Sequence, residues 1–214
     1  QFVTGGFVEG DKVPFTKENP AFRINKFTGE PYQEEMDRLG FSNGGRANNF
    51  GNIEAKFDYW AGFVPGKTYG GEQGNRFGAF DSKIAGMRAP LRDMKTKLKR
   101  YADTDDPFGH AVTEYLGGGR KGTVQEKIQR ATGKKGEENY NPDVQGYIDE
   151  ARDLYTREGD RGLLRAIGRR EGSDMDYYFE NEEDVQKAIK LADYDFKSGT
   201  TTKQMLSFLD NLFK

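Results

Sequence analysis

The sequence predicts a mainly α-helical protein. An extended glycine- and aromatic-rich arm, residues 1–80, precedes a small module of short helices, residues 81–214. Three observations carry this. The first 80 residues contain only three leucine or isoleucine residues, Ile24, Leu39 and Ile53, yet hold 11 of the 16 phenylalanines and 14 of the 28 glycines. From about Asp81 the apolar residues fall at helical spacing between recognisable caps. Strand-like alternation is nearly absent throughout.

In the arm, an aromatic residue repeatedly sits beside or just before glycine: Phe7 and Gly10, Phe27 and Gly29, Phe41 and Gly44, Phe50 and Gly51. Phe63 and Gly66, Tyr69 and Gly70, and Phe77 and Gly78 continue the pattern. Each reads as an aromatic anchor at a bend that glycine tolerates best. The spacing is too irregular for a solenoid or collagen repeat. Pro14, Pro20, Pro31 and Pro65 argue against long regular elements, leaving one short helix at 32–39 and extended chain elsewhere. Ordering so glycine-rich a segment costs backbone entropy that its own side chains do not offset. The arm is therefore expected to lie along neighbouring subunits, with Phe7, Phe27, Phe41, Phe50, Trp60, Phe63, Tyr69 and Phe77 as partner-binding anchors.

Seven helices follow. Ala89-Pro90 opens one with proline in its first turn and Leu91, Met94, Leu98 and Tyr101 on one face. Asp106-Pro107 opens the next, with Phe108, Ala111, Val112 and Tyr115 as its stripe and Gly117 as its stop. Thr123-x-x-Glu126 is a capping box before Val124, Ile128 and Ala131, and Gly133 closes that helix. Asn141-Pro142 starts a longer one facing inward through Val144, Tyr147, Ile148, Ala151 and Leu154. Asp160 caps a short helix carrying Leu163, Leu164 and Ile167. Asn181 caps another, with three acidic residues in its first turn, where the helix dipole favours them. Thr201-x-x-Gln204 caps the last, with Met205, Phe208, Leu209 and Leu212 inward.

Composition excludes several classes. No apolar run approaches the roughly 20 residues of a membrane span. The absence of cysteine removes disulfide scaffolds and thiolate-ligated metals, and a single histidine removes His-rich metal sites. No metal or cofactor is expected. The net charge of −2 conceals a basic stretch, +6 over 81–135, and an acidic one, −7 over 136–214. Such a chain suits neighbours of both signs.

Candidate chemistry is sparse. Arg88, Arg92, Lys95, Lys97, Lys99 and Arg100 lie on or beside one helix. They could neutralise phosphates, but a solvated face or a patch meeting the acidic C-terminal third is the favoured reading, because the chain as a whole is not basic. Arg157, Arg161, Arg165 and Arg169 recur every four residues and form one guanidinium stripe unless Gly159 interrupts the helix. Ion pairing with Asp153, Glu158 and other local acids is the favoured reading over a phosphate grip. Gly117–Thr123 fails the phosphate-loop pattern, because its lysine precedes the last glycine and a helix precedes the loop; a flexible hinge is expected. His110 and Glu114 fall outside their helix's apolar stripe and are expected on the surface. The acidic clusters at 137–138 and 180–184 supply no glutamate in an apolar setting that would serve as a general acid. No catalytic residue is expected.

Three segments carry a family resemblance: Gly5-Gly6-Phe7-Val8-Glu9-Gly10-Asp11, Asn25-Lys26-Phe27-Thr28-Gly29-Glu30-Pro31-Tyr32, and 36–46, MDRLGFSNGGR. Across roughly residues 1–50 the chain resembles structural proteins of tailed bacteriophages, particularly marine short-tailed ones. The resemblance implies a virion component, whether internal and ejected, part of a tail, or associated with the capsid. It implies a multi-subunit assembly with capsid, portal or tail subunits as partners, DNA as a further partner for an ejection protein, and synthesis in the host cytoplasm before residence in the virion. Some ejected phage proteins resemble lytic transglycosylases, but no matching catalytic-glutamate segment stands here. No signal peptide is visible, and Gln1 at the start suggests a processed chain or a fragment.

Overall fold

The computed structural model describes residues 48–54, 60–69, 77–136 and 140–212, with backbone alone for 65–69. The chain is mainly helical, as its caps and periodicity predict. An antiparallel hairpin, β1 (Phe63–Tyr69) and β2 (Phe77–Phe80), precedes eight helices among the described residues. These are α1 (Lys83–Arg100), α2 (Pro107–Tyr115), α3 (Val124–Thr132), α4 (Val144–Glu158), α5 (Asp160–Arg170), α6 (Met175–Phe179), α7 (Glu182–Leu191) and α8 (Thr202–Leu212). The helix expected at 32–39 lies outside the described residues.

Contacts divide the chain elsewhere than composition does. One compact unit joins the chain up to Ala89 with Glu171 onward, and the other is Pro90–Arg170. The division falls within α1. Thus the described portion of the aromatic-rich segment packs with the C-terminal helices instead of standing apart from them.

In the first unit, Phe50 is fully buried, edge-on to the Tyr178 ring at 4.8 Å and tilted against Phe179. The strap that carries it, residues 48–54, is held by side chains bonding to backbone. Asn48 donates to the Phe80 carbonyl at 3.1 Å, and Asn49 donates to the Ile53 and Gly78 carbonyls at 2.8 and 2.9 Å. Asn52 reaches the Glu171 carbonyl, and Ser173 donates back to the Phe50 carbonyl at 2.5 Å. Asn48 and Asn52 take positive φ (56° and 47°), a region that asparagine tolerates better than most residues. The strap approaches α1 at Gly86, where a Cβ would stand 1.5 Å from the Asn48 carbonyl oxygen. Only glycine permits that approach. Phe63 meets Phe80 edge-on at 6.2 Å, and the strand register is irregular between Phe63 and Thr68, where Pro65 has no N–H to offer the ladder.

Asp81 and Ser82 cap two helices together. The Asp81 carboxylate accepts the Thr202 backbone N–H at 2.8 Å and also its hydroxyl, at the start of α8. Ser82 accepts the Ala85 N–H at 3.1 Å, at the start of α1. That cap corrects the expected start: α1 opens at Lys83, and Pro90 lies inside it. An interior proline removes a bond to the residue four earlier, here Gly86, a loss of about 3 kcal/mol. Burial of Ala85, Met87, Ala89, Leu91 and Met94 carries the helix through.

Four of the remaining caps follow expectation, whereas Asp143 and not Asn141 caps α4, and Asp160 is the first residue within α5 and not its cap. Asp106, Thr123, Asn181 and the Thr201–Gln204 pair each bond the first turn as their sequence predicts. The buried face of α4 is Val144, Tyr147, Ile148, Ala151 and Leu154, as the spacing predicts. Two corrections remain. Helix α6, capped by Asp174, is short enough to leave no periodic signature, and Phe208 and Leu212 on α8 are exposed because Thr202, Met205 and Leu209 set its buried face.

Candidate functional site

The second unit contains a buried polar network where a surface pair was expected. Helix α2 presents Gly109 to Thr113 inward, which turns His110 into the unit with its residue surface only 8 % exposed. The correction has a clear cause: the Phe108/Tyr115 edge of the predicted stripe is only half-buried, so the buried face is rotated towards His110. Its ring stacks on Tyr101 at 5.0 Å, with 22° between the planes.

Lys127 of α3 completes the arrangement. It is fully buried, although the capping-box helix that carries it reads as amphipathic with lysine outside. Its ammonium donates to the Tyr101 hydroxyl and the His110 carbonyl, both at 2.9 Å, and lies 3.5 Å from His110 Nδ1. It also sits 4.1 Å from the centre of the Tyr101 ring, within cation–π range. Tyr101 in turn donates its single proton to Glu114 Oε2 at 2.6 Å, and the Arg120 carbonyl lies 3.0 Å from the same hydroxyl. Arg100 and Arg120 pair with Glu114 Oε1. Lys127, Tyr101 and Glu114 thus each bond to another member of the cluster, the condition under which buried polar groups rigidify a fold.

The titration of each group follows from these contacts. Burial, and then the hydrogen bond to Glu114, pushes the Tyr101 hydroxyl up to about 12. Burial alone would raise the Glu114 carboxyl, but the bonds from Tyr101 and Arg100 outweigh it and hold the group below its ordinary value. Burial lowers Lys127, opposed by the nearby Glu114 charge. A glutamate kept charged in this way is the reverse of a general acid.

Beside the network lies an open groove of about 660 Å³, lined by Asp105, Asp106, His110, Thr123, Glu126 and Gln145 among others. The Gly117–Thr123 loop at its edge is stitched down and is not the free hinge expected. Arg130 donates to the Gly118 carbonyl at 2.8 Å and to the Lys121 carbonyl, and Gly118 N–H bonds the Thr113 carbonyl at 2.8 Å. The α3 N-terminus is closed by Glu126, which accepts the Thr123 N–H at 2.7 Å, so no anion nest stands open there.

The basic residues singled out from the sequence are placed as follows. Arg88 is 2 % exposed and is a packing residue: it donates to the Leu191 and Tyr194 carbonyls at 3.1 and 2.6 Å and lies over the Phe196 ring. It is unavailable to a phosphate. Arg92 is half-buried, Lys95 pairs with Asp160 at 2.7 Å, and Lys97 pairs with Asp93. Lys99 is exposed. Gly159, at φ 61°, ends α4 and splits the arginine stripe between two helices. Arg157 pairs with Asp153, Arg161 and Arg165 with Glu158, and Arg169 with Glu150, the ion pairing favoured from sequence. The acidic run at 180–184 is likewise paired, through Lys83 with Glu180 and Lys187 with Glu183. Residues 137–138 lie outside the described residues.

Of the aromatic anchors, Phe50 and Phe63 are buried within the chain itself, which corrects their assignment to a partner's surface. Trp60 and Phe77 are half-buried, and Tyr69 pairs with Phe77 across the hairpin. Phe7, Phe27 and Phe41 lie outside the described residues. No group of three or more potential metal ligands occurs among the described residues, and none of their helices is long and apolar enough to cross a membrane. Comparison of the chain with protein-family models, with curated proteins and with solved structures found no match.

Proposed function

We propose that the protein is a non-enzymatic structural and assembly component of a phage virion whose N-terminal arm docks on neighbouring subunits. One observation carries the reading: the seat of Phe50. There a glycine-flanked phenylalanine, with asparagines fixing the bend, packs against the Tyr178 and Phe179 rings of α6, while Gly86 on α1 makes room for the neighbouring Asn48 carbonyl. The upstream anchors Phe7, Phe27 and Phe41 repeat that sequence device. The phage resemblance over residues 1–50 covers the same segment.

A DNA-contacting role has weaker support, since Arg88 is internal and the arginine stripe is neutralised pair by pair. A peptidoglycan hydrolase needs a protonated carboxyl beside the scissile bond, and Glu114 is held charged. The test is incorporation into sedimenting particles of the full chain and of a variant with Phe7, Phe27 and Phe41 changed to serine. The variant is expected to keep its helical circular dichroism and thermal transition yet be lost from particles. Incorporation at the normal level would overturn the proposal. Titration with duplex DNA across a salt series is expected to show no binding even at low salt.

A further inference from the structure

The groove beside the buried network carries a second, independent reading. Lys127 donates to the Tyr101 hydroxyl and the His110 carbonyl, and its third N–H faces His110 Nδ1 at 3.5 Å. With Nδ1 accepting, the imidazole proton is assigned to Nε2. That nitrogen faces the groove. Asp105 Oδ1 stands 3.8 Å from it, beyond hydrogen-bond range. Among the described residues, this donor on a buried ring has no acceptor within hydrogen-bond range.

Its wall has the opposite character. The Asp105 carboxylate is 95 % exposed and pairs with no lysine or arginine among the described residues. Asp106, by contrast, is already bound bidentately by Arg152 at 3.0 Å and accepts the Gly109 N–H at 2.8 Å. Gln125 and Gln145 add amide groups, and Val124 and Ile128 supply an apolar floor. A ligand that satisfies this lining needs a hydrogen-bond acceptor for His110, a cationic donor for Asp105, and an aliphatic portion for the floor. A polypeptide carrying lysine or arginine has all three: a backbone carbonyl, a charged tip, and a methylene stem.

We infer that this groove binds a basic peptide segment of a partner protein, with a backbone carbonyl on His110 Nε2–H and a cationic side chain on Asp105. The inference does not depend on the arm, which carries the assembly reading above.

His110 is the chain's only histidine, so a histidine-labelled sample gives one imidazole signal. The full-length protein would be titrated with a capped peptide alternating lysine and glycine, while the Nε2 signal is followed by NMR. The lysine peptide is expected to move that signal saturably. Asp105→Asn, at an exposed position that leaves the fold intact, is expected to weaken binding about fivefold, the worth of one solvent-facing ion pair. No movement with the lysine peptide would overturn the inference. So would an equal response to the glutamate–glycine counterpart, a response to a chito-oligosaccharide in its place, or undiminished affinity in Asp105→Asn.

Discussion

The strap around Phe50 and the network around Lys127 are two ways of fixing a backbone, and they differ in what does the fixing. At the strap, one large aromatic ring is fully removed from water, and buried asparagine side chains hold the bend through backbone carbonyls. At the network, a buried lysine and tyrosine are linked to a half-buried glutamate, each useful only while the others remain. Removing the ring is a loss of area and packing. Removing a network member leaves its partners buried without an answer. The first effect scales with size, and the second with charge.

The largest expected effect tests the strap. Phe50→Ala is expected to cost about 3–5 kcal/mol, the usual range for truncating a buried phenylalanine. Hydrogen exchange should accelerate in α6 and α7 much more than in α3. Equal acceleration in both units would break the contrast. Next comes Glu114→Ala, expected to cost about 2–3 kcal/mol because it strips Tyr101 and Arg100 of a charged acceptor. Urea unfolding should report it, and the exchange pattern should invert, with α2 and α3 affected first.

The third test separates the two by pH. Tyr101 is raised in the folded state from 10 to about 12, so the folded chain holds that proton more tightly than the unfolded one. Its contribution is fully present below pH 10 and is lost as pH rises from 10 to 12. Tyr101→Phe should flatten stability over that window, whereas Phe50→Ala should leave the pH dependence intact. Glu114, held below its ordinary value, adds stability above about pH 4.5 that disappears as pH falls through its folded value. The smallest expected effect is that of Arg157→Ala. It removes an exposed ion pair with Asp153, and thermal unfolding should register less than about 0.5 kcal/mol.

The same contrast explains what was legible in the sequence. Helix starts at Asp106, Thr123, Asn181 and Thr201 could be read because a cap is a local device, complete within four residues. The inward face of α4 could be read because five apolar residues declare it. The polar network could not. Lys127 and His110 occupy positions that periodicity assigns to water, and only the convergence of α2, α3 and the end of α1 gives them partners. Phe50 was recognisable as an anchor, but its socket comes from residues more than 120 positions away, so its owner was not. Pro90 misled for a related reason: proline is a local stop signal, and the burial that overrides it is not local.

Gly159 sets how the molecule looks from a distance. Had the helix run through, four guanidinium groups would have formed a charged rail whose field a polyanion could follow. The break at φ 61° instead distributes them over two helices and brings three carboxylates, Asp153, Glu158 and Glu150, among them. At physiological salt, fields fade over about 8 Å, and beyond that distance so mixed a ridge offers almost no long-range pull. A partner that meets this face must do so by shape and short-range contact, after a collision that electrostatics has not guided.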